Sequence, residues 1–440
     1  MITVYNDINY NRTRQSLLGG TVTGLWNKNS FFLGCNSHPV PQYFYMTSNY
    51  TDFSKVIEGA PRDVNYHLSG YGTTYNESLV SFLGESAERF SFATMYAAYK
   101  DRIVNASFVE LTKAYPTALI CDLDLINVYF TREDVAHFIS DEDVLQWVPM
   151  ISLFDPKTTV FIPLQMVVMY EKTLFENEKR VNNSAVSTGT ACHESFPQAL
   201  ENSISELLQI DSLNLWWYGG HTAPKVEVNI EDILTKYFSS QQKAVKMFLS
   251  HFDVRFLDIS YDKPLHIVVC EITTKNPASP LPKYVVGSQA SSSMETAVYR
   301  SFFECMTVVE YALNVSWMDT DKFKKMTGSP DKQDIDNLDD NVIYYAKYGR
   351  PVLKHQPVSQ FSHQNKASDL SDLIRQTQSL SKFACYLPIS SSEFQHLNLE
   401  VVKVITPELL PISLPSYPPF HHPRFKQTGG IHNRIPHPLA

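Results

Sequence analysis

Apolar and polar positions alternate, or apolar ones run on briefly, at Ala118 to Asp122, Thr159 to Ile162, Val254 to Ile259, His266 to Ile272 and Val401 to Ile405. That period of about two predicts strands. Between them lie longer stretches with helical recurrence, so the fold class expected is α/β (α+β), helices packed on mixed sheets. Two polar stretches, Asp319 to Asn341 and Lys354 to Asp372, are poor in β-branched and aromatic residues and read as loops or linkers. From Pro407 onward, where 8 of the 25 prolines fall, the chain should run extended over the surface with no helix of its own.

The helices repeat one frame. Thr74-Tyr-Asn-Glu77 and Ser195-Phe-Pro-Gln198 both read as capping boxes, a hydroxyl at the N-cap and Glu or Gln three residues on. Counted from the cap, the first helix places Ser81 at +7, Glu85 at +11 and Glu88 at +14, and the second places Asn202, Glu206 and Gln209 there. A third helix starts within Ser291-Ser-Ser293; with Ser293 as the cap, Arg300, Glu304 and Thr307 fall in the same frame. Steps of four and three stack these side chains along one face. Leu79, Phe82, Leu83 and Phe90 on the first helix, and Leu200, Ile204, Leu207 and Leu208 on the second, supply apolar packing surface. Acidic groups beside such surfaces are costly to bury unpaired, and convergence on cations would remove that cost. Magnesium fits, being a hard ion that takes one or two carboxylates plus phosphate oxygens, with Arg300 one turn before Glu304 to face the same phosphates. Ordinary solvated helix faces would give the same spacing.

Composition narrows the reading. The 440 residues carry a net charge of −9, with 43% hydrophobic and 19% charged residues, enough to bury a large core and too ordered a mixture for a disordered chain. The acidic balance argues against a nucleic-acid surface, no apolar run approaches a membrane span, and residues 1 to 15 lack the order of a secretory signal, so the expected location is cytoplasmic. Six cysteines, at 35, 121, 192, 270, 305 and 385, without a CxxC pair read as reduced buried thiols; Cys192, next to His193, is the one to examine as a nucleophile. Trp216-Trp217-Tyr218 reads as core, and His421, His422, His432 and His437 as solvated loop histidines.

Ser69-Gly-Tyr-Gly-Thr followed by Ser81-Phe-Leu-Gly-Glu-Ser-Ala-Glu-Arg-Phe-Ser91 resembles the first signature of the YcaO superfamily. Ser187-Thr-Gly-Thr-Ala-Cys-His with Glu206-Leu-Leu-Gln-Ile-Asp211 is similar to the second, Ala297-Val-Tyr-Arg-Ser-Phe-Phe-Glu304 to the third, and Asp258-Ile-Ser-Tyr-Asp262 to the strand before it. Val401 to Pro411 and Asn433-Arg-Ile-Pro-His-Pro-Leu-Ala440 resemble the azoline-forming branch, whose chains tend to end in a proline-rich sequence. The resemblance covers roughly residues 60 to 440, dividing the chain into a weakly assigned segment 1–60, an ATP-binding core 61–330 and a C-terminal part 331–440 with its proline-rich tail.

What the resemblance implies is an ATP-dependent cyclodehydratase that turns Cys, Ser or Thr of a ribosomal precursor peptide into thiazolines or oxazolines. A thioamide- or amidine-forming enzyme and a non-catalytic scaffold are the alternatives. Carried over residue by residue, Ser81, Glu85, Glu88, Ser187, Glu206, Gln209, Arg300 and Glu304 would bind nucleotide. Glu85, Glu88, Glu206 and Glu304 would ligate Mg2+, and Pro436, Pro438 and Ala440 of the tail would serve catalysis. The resemblance also implies a separate leader-binding partner resembling a ubiquitin-activating enzyme, because residues after 60 leave no room for such a domain, and a flavin dehydrogenase as a further partner; it leaves room for a homodimer. Tyr71 stands where the family often has Lys, Gln209 and Thr307 depart from its usual Glu and Gln, and Leu439-Ala440 from Phe-Pro.

Overall fold

Each of the three long helices is fed directly by a strand, and each strand belongs to a different sheet. In the computed structural model, which describes residues 8–19, 25–33, 40–50, 67–128, 139–169, 175, 177–181, 185–318, 320–326, 335, 338–357, 361, 365–413 and 418–439, strand His67–Gly72 leads into helix Tyr75–Tyr99. Strand Thr190–His193 leads into helix Phe196–Trp217, and strand Tyr284–Ser291 into helix Met294–Met318. His67–Gly72 is the edge of an antiparallel three-stranded sheet with Trp26–Leu33 and Phe44–Tyr50. Tyr284–Ser291 is the edge of a four-stranded antiparallel sheet with His266–Thr274, Phe252–Asp258 and Lys225–Val226. Thr190–His193 ends a seven-stranded sheet, pairing with Glu400–Ile405, which pairs in turn with Cys385–Pro388 and so reaches Leu145–Ser152. One parallel pairing, Leu119–Ile120 with Thr159–Pro163, makes that sheet mixed. Strand pairing runs across residue 60, through Phe44–Tyr50 and His67–Gly72, and across residue 330, through Thr190–His193 and Glu400–Ile405.

Glycine sets how closely strand and helix approach. A Cβ on Gly70 would lie 2.3 Å from both the Phe82 nitrogen and the Ser78 oxygen, so only glycine lets this strand lie against the first helix and bring Ser69 beside Glu85. Phe82, Leu83, Leu200, Ile204, Leu208, Phe302 and Phe303 then close three apolar cores, one under each helix.

The first capping box forms as expected, Thr74 Oγ1 accepting from Glu77 N and the Glu77 carboxylate from the Thr74 backbone. The second does not: Ser195 is the N-cap, but its side chain makes no cap bond, and its N–H donates to His193 Nδ1 at 3.3 Å. Ser293 caps the third helix, accepting from Thr296 N at 3.5 Å. Residues 319–341 are not simply a loop, since Thr320–Lys325 and Leu338–Tyr348 are helical. Ala118 to Asp122 contracts to a two-residue strand, Leu119–Ile120.

The tail departs most. It holds a short helix, Pro423–Gln427, and its end is buried, not laid over the surface. Trp217 Nε1 donates to the Ile435 oxygen at 2.8 Å, Asn433 Nδ2 to the Trp217 oxygen at 2.9 Å, and Tyr345 Oη to the Pro436 oxygen. Trp216, Trp217 and Tyr218 are core, as expected. His422 and His437 are buried, their ring nitrogens 3.0 and 2.8 Å from the Pro407 and Ser413 oxygens, which overturns their reading as solvated; His421 is exposed. No helix among the described residues is long and apolar enough to cross a membrane.

Candidate functional site

The three glutamates at +11 are each held by a donor from the strand or turn that precedes their own helix. Ser69 donates to Glu85 Oε2 from its N–H at 3.0 Å and its hydroxyl at 3.1 Å, the Gly189 N–H donates to Glu206 Oε2 at 2.9 Å, and Gln289 Nε2 donates to Glu304. The shared frame is therefore matched by a shared anchoring: strand, turn and helix form one unit used three times.

These units meet. Burial raises the pKa of Glu88, and the charges of Glu206 and Glu85 raise it further against the help of Arg89. Burial also raises that of Glu206, while in Glu304 burial and the Glu206 charge outweigh Gln289 and Arg300 and push it up to about 7. The Glu206 charge thus opposes the ionisation of a carboxylate on each of the other two helices. Ser81 and Asn202, at +7, are exposed, Arg300 and the three +11 glutamates are half-buried, and Gln209, at +14, is buried, so on the first two helices the face runs from an open mouth inward.

The donor set fits a hard cation, because it leaves negative charge partly buried and incompletely neutralised. No three His, Cys, Asp or Glu side chains among the described residues stand close enough to hold one ion. Mg2+ needs only one or two carboxylates and completes its shell with water and phosphate oxygens. Gln209 is spent otherwise: Nε2 donates to the Ser288 oxygen at 2.7 Å and Oε1 accepts from Ala290 N at 3.1 Å, tying the second helix to the strand before the third. Thr307 Oγ1 donates back to the Phe303 oxygen. Tyr71 packs near Glu304, Arg300 and Glu85, and burial, reinforced by Glu304, holds its phenol well above the usual range and neutral.

Two cations the sequence pattern did not single out join Arg300. Arg89 Nε is 3.8 Å from Glu85 and its Nη1 3.9 Å from Glu88. Lys403, 1% exposed, donates to the Val186 and Thr188 oxygens, both at 2.8 Å, and burial lowers its pKa to about 7 against the pull of Glu206 and Glu88. The signal for Lys403 was present as a lone charge in Val401-Val-Lys-Val-Ile405. Arg89 stood in the first signature, one residue past the stacked positions.

Ser187 to Thr190 form a turn closed by Thr190 N to the Ser187 oxygen at 2.8 Å, with Gly189 at φ +80°, the third-position geometry of a type II turn. A Cβ there would also meet the Val404 oxygen at 2.5 Å. Gly189→Ala should therefore lose about 1 to 2 kcal/mol from the backbone alone and more from the contact. Urea unfolding should show an earlier midpoint; an unchanged one would mean that the turn adapts freely.

Pro436 and Pro438 are buried at the far end of the second helix, on the chain packed around Trp217 and Tyr218, and Ala440 lies outside the described residues. Eleven residues separate Glu206 from Trp217 on that helix, about 16 Å of rise. The structure thus does not bring Pro436 among the glutamates. Cys121, Cys192, Cys270, Cys305 and Cys385 are free thiols, and Cys35 lies outside the described residues. Burial and the Glu88 charge drive the Cys192 thiol far above its usual pKa, the opposite of what a nucleophile needs.

A second charged cluster is buried at Asp211 of the second helix. Lys263 Nζ lies 2.7 Å from Asp211 Oδ2 and also bonds Asp262, while Arg424 Nη2 bonds Asp262 at 2.6 Å and Asp211 at 3.1 Å. Burial opposes it, yet Arg424 and Lys263 hold the Asp211 carboxyl well below the usual range.

Residues 69–410 match the family model of the YcaO cyclodehydratases, described as ATP- and Mg2+-binding. No curated protein matches the sequence. Among solved structures, a heterocyclase in complex with substrate and cofactor is similar over 98% of this chain and 57% of its own, with TM-score 0.65 and 17% identity. The E. coli microcin synthetase McbBCD complex with pro-MccB17 bound holds a chain similar over 96% of this one and 98% of its own, TM-score 0.59, 17% identity. YcaO from Methanopyrus kandleri, bound with AMPPCP and Mg2+, is similar over 91% and 89%, TM-score 0.53, 14% identity. The fold is that of these proteins, and this chain spans little more than half the length of the heterocyclase.

Proposed function

Since the chain belongs to the YcaO cyclodehydratase family, whose cofactors are ATP and Mg2+, we propose that it is the ATP-dependent subunit of a cyclodehydratase. It converts Cys, Ser or Thr of a ribosomal precursor peptide to thiazolines or oxazolines. The observation that carries this reading is the meeting of Glu85, Glu88, Glu206 and Glu304 from three helices, with Arg89, Arg300 and Lys403 beside them. Such a balance of acid and base suits a metal-bound polyphosphate better than either ion alone.

In the reaction, the thiol or hydroxyl of the peptide attacks the carbonyl carbon of the preceding amide, giving up its proton as the new C–S or C–O bond forms. Bound ATP with Mg2+ supplies the phosphoryl group that makes the former amide oxygen a leaving group. The C–O bond then breaks, phosphate departs with that oxygen, and the nitrogen loses its proton to give the C=N bond. Each ring thus removes the elements of one water from the peptide.

Glu85, Glu88, Glu206 and Glu304 hold the metal ions in this reading, while Arg300, Arg89, Ser81 and Ser187 orient phosphate oxygens. Gln209 acts through the strand it grips. Pro436, Pro438 and Ala440 direct the tail toward alignment of the peptide or proton transfer. Because Pro436 to Leu439 are buried, removing them would also strip packing, so the tail is tested by deleting Ala440 alone.

The microcin synthetase neighbour carries its precursor within a complex, which supports a peptide substrate and partner proteins here: a leader-binding protein and a flavin dehydrogenase acting on the azolines. The test incubates the chain with a Cys-containing precursor, partner and ATP, and reads mass loss of one water per ring. ATP- and partner-dependent dehydration is expected, slower without Ala440. Leader-dependent processing at full rate by the chain alone removes the partner from the reading. Nucleotide binding without dehydration, with sulfide or amine incorporated instead, would transfer the chain to thioamide or amidine formation.

A further inference from the structure

Lys403 is the least exposed cation at the site, and the proposed reaction assigns it no contact with phosphate or metal. Burying an ammonium costs several kcal/mol unless it is paired and hydrogen-bonded, and Val401 and Ile405 show that this strand can fill the same interior with aliphatic side chains. The lysine is retained where its donors do something specific. Nζ gathers the oxygens of Val186 and Thr188, the residues on either side of Ser187, each at 2.8 Å, and lies over the Phe92 ring at 4.7 Å.

The rest of that turn is pinned as well. The Ser187 oxygen accepts from Thr190 N, and the Gly189 oxygen from Val404 N at 2.7 Å and Ser203 Oγ at 2.9 Å, leaving the Gly189 N–H aimed at Glu206. In the paired strand, Lys403 stands opposite Thr190, the last residue of the turn. Without the amine, the buried Thr188 carbonyl and the part-buried Val186 carbonyl would lose this donor within three residues of the N–H that orients Glu206.

We propose that Lys403 is a positioning residue for nucleotide and metal binding. Its ammonium holds the 186–189 turn so that Gly189 presents its N–H to Glu206 and Ser187 stays at the mouth of the site. The inference rests on the nucleotide-binding reading above and gives it a residue that need not touch the ligand.

The test compares wild type, Lys403→Met and Lys403→Arg by calorimetry with a non-hydrolysable ATP analogue and Mg2+, and by amide hydrogen exchange without ligand. In folded Lys403→Met, the dissociation constant should rise at least tenfold, and exchange at residues 187–190 should accelerate while Leu207 to Trp217 stay protected. Lys403→Arg, which keeps charge and donors, should bind within threefold of wild type. Binding of Lys403→Met within twofold of wild type overturns the proposal, as does faster exchange spread evenly over the fold, the mark of a merely structural role. If Lys403→Met does not fold, Lys403→Arg decides: retained binding supports the role, and a folded protein weakened more than tenfold overturns it. A wild type that binds no nucleotide would instead sink the reading on which this inference rests.

Discussion

Glu206→Gln and Glu304→Gln proteins should unfold no earlier than the parent at pH 8, yet lose most of the stabilisation that Mg2+ and nucleotide give it. Both changes preserve the acceptor oxygen that takes the Gly189 N–H or the Gln289 amide and remove only the charge. That charge is unwelcome in the ligand-free fold, because burial raises both carboxyls, Glu304 to about 7. A raised acid favours folding fully below its unfolded pKa and loses that contribution as pH rises through the folded value. The variants should therefore gain most relative to the parent above pH 7, and the gain should shrink toward pH 4. Nucleotide affinity should fall roughly 100-fold, the upper end of what even outer-shell changes at metal sites produce. A thermal-shift series with and without Mg2+ and an ATP analogue reads both effects. Variants that melt earlier at pH 8 while still binding would show these glutamates to be scaffold.

The largest loss of stability is expected at Arg424→Met. Removing this guanidinium leaves Asp211 and Asp262 sharing Lys263 alone, inside the protein. Breaking a buried pair from one side costs about 3 to 5 kcal/mol. Because Arg424 and Lys263 hold the Asp211 carboxyl down, its contribution is present above the unfolded value of about 3.9 and is lost as pH falls toward the folded one. The variant should thus show a lower urea midpoint at pH 7 and a smaller difference from the parent in acid. Equal midpoints at pH 7 would mean that water replaces the guanidinium.

Local signals read well from sequence and long-range ones did not. The frame of Ser81, Glu85 and Glu88 against Glu206 and Glu304 was legible because helical periodicity is written within a few turns, and a Thr or Ser cap marks where to begin counting. The anchoring of those glutamates was not legible, since Gln289 and Gly189 act through strand ends whose position depends on sheets assembled from distant segments. Gln209 matched the frame but serves the backbone of Ser288 and Ala290, a pairing across some eighty residues that no local pattern announces. The tail illustrates the same limit. Proline content denied it any helix, which Pro423–Gln427 overturns, and its burial depends on Trp217, Tyr218, Asn341 and Tyr345, partners that composition cannot name.

The three anchored glutamates have a consequence for how the protein is made. Ser69, Glu85, Gly189, Glu206, Gln289 and Glu304 come from separate stretches, and the turn that serves Glu206 is completed only when Lys403 and Val404 pair beside it. Contacts so distant in sequence form late, after the closure entropy of long intervening loops has been met. During synthesis, a chain whose last emerged residue precedes Lys403 carries all four acids but not the strand that secures one of them. Ligand that binds only the finished arrangement stabilises it by mass action. Cellular Mg2+ and nucleotide would then act on the newborn chain as an inspection step, retaining those copies whose distant ends have met.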